Sequence, residues 1–99
     1  MLLEQYINNR IKKYQRELDK ALEELDENII QIGKRINAAA SKAEKDIDHA
    51  IWGTSEKELP VEDQQTMVLQ YQQLISKMRM DACKKLLNAI YGCNSNLSV

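Results

Sequence analysis

Phenylalanine is absent from this chain of 99 residues, and glycine and proline together number only four: Gly33, Gly53, Gly92 and Pro60. So few turn formers leave room for few loops, which excludes a sandwich, a barrel or a doubly wound fold and predicts an all-α chain. Long apolar runs are missing too. Nothing approaches the roughly 18 residues that a bilayer span requires, and the opening MLLEQYINNR has neither the basic flank nor the apolar stretch of a signal peptide. The expectation is a cytoplasmic chain with no membrane contact, or one exported by a route that needs no classical signal peptide.

An excess of either charge is also lacking. Fourteen Lys and Arg stand against fifteen Asp and Glu, for a net charge of −1. A chain that neutralises phosphates needs a concentrated positive field, so a nucleic-acid-binding helical dimer ranks behind other readings. Catalytic constellations are missing as well: there is no glycine-rich phosphate loop, no paired-cysteine zinc pattern and no Ser or Cys with a plausible base. Asp46 and the single histidine, His49, share a helical face, but one histidine is too few for a di-iron helix pair, and a solvated face explains both. Cys83 and Cys93 read as free thiols. The chain is therefore expected to be no enzyme and to hold no metal or cofactor.

What is present is helical periodicity. From Ile7, apolar or small residues fall at 7, 11, 14, 18, 22, 25, 29, 32, 36, 39, 43, 47 and 50, twelve steps over 43 residues. The mean step of about 3.6 is that of a straight helix, so the spacing predicts one long helix over about 2–52. Within it, Gly33, Ala39, Ala40 and Ala43 concentrate small side chains and predict a tight helix crossing. Trp52 and Gly53 mark its end, Ser55 and Glu58 fit a capping box, and Pro60 fits the first position of a second helix. That helix is expected over about 60–91, after a bend at 53–59, with its apolar stripe at Met67 or Val68, Tyr71, Leu74, Ile75, Met78, Ala82, Leu86 and Ile90. Residues 1–92 then form one antiparallel hairpin, and 93–99 a flexible tail.

The two helices differ in length. At 1.5 Å per residue the first spans about 75 Å and the second about 47 Å, so the hairpin covers the first helix only back to about residue 20. Leu3, Ile7, Ile11, Tyr14 and Leu18 are then left bare on one face, beside Arg10, Lys13 and Glu17. Two copies laid antiparallel would pair that stripe and set each basic segment against the other's acidic segment. The expected assembly is a four-helix bundle or coiled-coil-like dimer, with a helix of another protein as the alternative partner.

The bend reads HAIWGTSEKELP and places Trp52 and Gly53 at mid-chain. In length, hairpin outline and this Trp-Gly pair the chain resembles the small secreted helical hairpins of the ESX (WXG100) type. It departs from them in having no residue between Trp and Gly, and in having Ser95 four residues after Tyr91 where that family carries an acidic residue. The resemblance implies a secreted hairpin acting with a partner subunit. The residues themselves point first to a non-catalytic adaptor, chaperone or inhibitor that presents a helix face to another helix.

Overall fold

Asn28 divides the long apolar period in two. Among the described residues of the computed structural model, 2–24 and 28–91, three α-helices run in order: α1 (Leu2–Glu23), α2 (Ile29–Trp52) and α3 (Val61–Ile90). The continuous helix over 2–52 is thus corrected to two helices, and the two-helix hairpin to a three-helix bundle. Asn28 takes the N-cap of α2: its side-chain oxygen accepts from the Ile30 N–H at 2.9 Å, and its carbonyl accepts from Gln31 and Ile32. These bonds satisfy donors that a helix start otherwise leaves orphaned. Across the same junction the Arg35 guanidinium lies 2.6 Å from the Glu24 carboxylate.

Folding back gives α1 the partner that a hairpin would deny it. Arg10 meets Asp46 and Glu24 meets Arg35, so α1 and α2 run antiparallel; Asn37 meets Arg79 and Thr54 meets Gln64, so α2 and α3 do as well. α2 packs against both neighbours, and α1 touches α3 less extensively. The result is a rod of about 55 × 26 × 19 Å. Its core holds Ile7, Tyr14, Leu18 and Ala21 from α1, and Val68, Ile75, Ala82 and Leu86 from α3. Between them lie Ile32, Ile36, Ala39, Ala40, Ala43, Ile47 and Ile51 of α2. Each fully buried aliphatic side chain contributes about 1.5 to 3 kcal/mol, so closing α1 onto the other helices outweighs the few helical hydrogen bonds given up at the junction.

The second junction keeps its place but not its expected chemistry. α2 ends at Trp52, and the Gly53 N–H donates to the His49 carbonyl at 2.9 Å. Gly53 has φ −77° and ψ −9°, an ordinary helical conformation and not the left-handed one in which glycine often closes a helix. It is a glycine for another reason: a Cβ there would sit 2.9 Å from the His49 carbonyl oxygen. Ser55 does not cap α3. It closes a separate turn, accepting from the Leu59 N–H through its carbonyl and from the Lys57 N–H through its hydroxyl. Pro60 is the N-cap of α3, one position before its expected site, with no side-chain capping bond, and Glu62 and Asp63 follow in the first turn where the helix dipole favours acids. The segment 93–99, with Cys93, lies outside the described residues, as does Gly92.

Candidate functional site

The stripe expected to meet a partner is spent inside the bundle. Ile7, Tyr14 and Leu18 are fully or almost fully buried, and Leu3 and Ile11 pack partly against the same core. Lys13 alone of that set is fully on the surface, while Glu17 is half-buried. Arg10 is 6% exposed, where the sequence reading had it facing a partner. Its Nε donates to Asp46 at 2.7 Å and its Nη1 lies 3.3 Å from Glu17, so this cation joins α1 to α2. The guanidinium is buried while both carboxylates keep about a third of their surface in water, so the charge is paired without full desolvation of its partners. Asp46 is therefore engaged with Arg10, not with His49, which is exposed.

One turn beyond Arg10, the Tyr14 ring is fully buried and its hydroxyl has no hydrogen-bond partner, nor has the Arg10 Nη2. Burial pushes the Tyr14 hydroxyl up to about 12; the Arg79 guanidinium pulls against this, and Cys83 and Glu17 add to it. Cys83 is a free thiol half-buried on α3. Among the described residues no group of His, Cys, Asp and Glu could hold a metal ion, and no helix is long and apolar enough to cross a membrane.

The expected crossing survives in part. Ala39, Ala40 and Ala43 are buried between helices, whereas a Cβ on Gly33 would meet nothing within 4 Å, so Gly33 is no point of close approach. Trp52, the last residue of α2 before Gly53 and the bend that leads to Pro60, is 48% exposed, so it does not seal the end of the core. An open depression of about 770 Å³ lies at the same end, lined by Leu2, Leu3 and Tyr6 of α1, Ala50 of α2, and Gly53, Thr54, Ser55 and Glu58 of the bend.

The surface that stands out is one that the sequence reading passed over. α3 carries its core stripe at Val68, Ile75, Ala82 and Leu86, and a second set of large apolar side chains on its outer side. Leu69, Met80 and Leu87 are 58%, 53% and 54% exposed. They belong to a series of Leu69, Gln73, Ser76, Met80, Cys83, Leu87 and Ile90, whose steps alternate four and three, with Gln73 and Ser76 polar and Cys83 half-buried against the core. That is the 3.5-residue period of a coiled-coil seam, unlike the 3.6 that runs through α1 and α2. Between Leu69 and Met80 lies an open depression of about 420 Å³, lined by Gln72, Gln73, Ser76 and Lys77 as well.

The architecture is that of a small all-α bundle whose third helix is apolar on two faces, one turned inward and one outward. No protein-family model, curated protein sequence or solved structure matches the chain.

Proposed function

We propose that this is a non-catalytic interaction protein, a small helical adaptor, chaperone or inhibitor, that receives a helix of its partner on the outer seam of α3. The observation that carries the reading is the row of Leu69, Met80 and Leu87 on the outer side of α3, each more than half exposed and set at coiled-coil spacing. Large apolar side chains exposed to water cost free energy, and a partner helix with i, i+3, i+4 and i+7 anchors would reduce that exposure.

The reading is tested with synthetic helical peptides that share one leucine heptad seam and differ in their flanking charges, titrated against the protein by fluorescence anisotropy. At least one should bind, and Leu69→Lys with Leu87→Lys should remove that binding while circular dichroism stays unchanged, because both positions are exposed. If no peptide binds, or if the double substitution leaves binding intact, the outer seam of α3 is not a docking surface.

A further inference from the structure

We infer that the helix received on α3 is one whose own apolar seam is flanked by acidic residues, and that it belongs to another protein. This rests on the docking reading above and adds the partner's chemistry. The shape specifies a helix: Leu69, Gln72, Gln73 and Ser76 stand at i, i+3, i+4 and i+7, and so do Gln73, Ser76, Lys77 and Met80. Each quartet is the four-residue hole that takes one knob of a facing helix, and the two holes together line the depression.

The charges specify which helix. From residue 64 to 91 the chain carries Lys77, Arg79, Lys84 and Lys85 against the single acid Asp81. Lys77 and Lys84 are exposed and sit one place after the seam positions Ser76 and Cys83, where coiled coils set partner choice. Of the neighbouring cations, Arg79 is half-buried and points to Asn37. A second copy of this chain is disfavoured in either direction. Laid antiparallel with Leu69 on Leu87 of the copy, the seam would bring Lys77 against its own counterpart; laid parallel, it would set Lys77 beside Gln72 and Lys84 beside the edge that carries Arg79, so that no acid meets either lysine. Like charges so placed act against pairing. A lipid surface is disfavoured by width: Gln73 and Ser76 interrupt the row, leaving a narrow seam and not the broad apolar face with which interfacial helices enter a headgroup layer.

Three peptides with the same leucine seam, flanked by Glu, Gln or Lys, decide the matter. Each exposed charge pair alters affinity a few-fold, so the Glu-flanked peptide should bind at least about tenfold tighter than the Lys-flanked one, a margin that shrinks as salt rises. Lys77→Glu with Lys84→Glu, both on the surface, should reverse that order. Equal binding of all three peptides would overturn the acidic preference while leaving helix docking intact. No binding by any of them would overturn docking itself. Association with phosphatidylserine vesicles in place of peptides would make the occupant a membrane. Concentration-dependent dimerisation abolished by Met80→Lys would make it a second copy.

Discussion

A tyrosine hydroxyl sealed between three helices without a partner is a group the fold tolerates, not one that supports it. Tyr14 ionises near 10 in an unfolded chain and at about 12 in the fold, because burial disfavours the phenolate. As pH rises past 10 the unfolded chain gives up this proton first, so the unfolded state gains and stability falls until the folded state ionises too. Below 10 the contribution is constant. The loss amounts to about 2 to 3 kcal/mol by the time both states are ionised. Tyr14→Phe lacks both this loss and the unpartnered hydroxyl, so near neutral pH it should equal or exceed the parent in stability by up to about 1 kcal/mol. In urea titrations its advantage should widen by about 1 kcal/mol between about pH 8 and about pH 11. An unchanged difference between the two proteins would mean that Tyr14 is open to solvent. Its place on an apolar face was legible, since 14 lies on the apolar period; that this face is covered within the chain was not, nor was the burial of Arg10. Arginine at that position reads as surface, and only the partnership with Asp46, 36 positions away in the chain, makes its burial tolerable.

At the level of helices, sequence reading recovered the all-α class, the apolar face of α2 and the junction before α3, each carried by local pattern. It lost the junction before α2. The apolar period passes through 22, 25, 29 and 32 without a change of phase, and no glycine or proline stands at 24–28, so local pattern alone favours one helix. The decision falls to tertiary burial and to a cap, Asn28, followed by two isoleucines that leave the core face, Ile29 and Ile30, both exposed. Asn28→Ala separates the alternatives by sign. Loss of the cap should cost about 1 kcal/mol and lower the melting temperature by about 4 to 8 °C. In an uninterrupted helix the same change would raise it, since alanine is the better interior residue. Gly33→Ala should act oppositely to Asn28→Ala, adding about 1 kcal/mol, because the new methyl meets open space within a formed helix. A melting temperature lowered by Gly33→Ala would restore the tight crossing that its surroundings now deny.

For the molecule as a whole, the two architectures differ in what α1 is for. In a hairpin with an overhanging first helix, Ile7 and Ile11 would serve assembly alone; in the three-helix bundle they help hold every helix in place. Ile7 is fully buried and Ile11 partly so, on the face of α1 that shares the core with α2 and α3. Ile7→Glu therefore places a carboxylate in the fully buried site of an isoleucine, and burying a charge in the core costs several kcal/mol, a large share of the 5 to 15 kcal/mol by which a domain is ordinarily stable. Combined with Ile11→Glu, it should abolish cooperative unfolding and most of the helical circular dichroism, in α2 and α3 as well as α1, because small domains unfold as a unit. The overhang architecture demands the reverse: helicity retained, and only the mass in light scattering changed. A double variant that stays fully helical with a sharp melting transition would show that α1 is not part of the core, and would return its apolar stripe to the surface as the place where a partner binds.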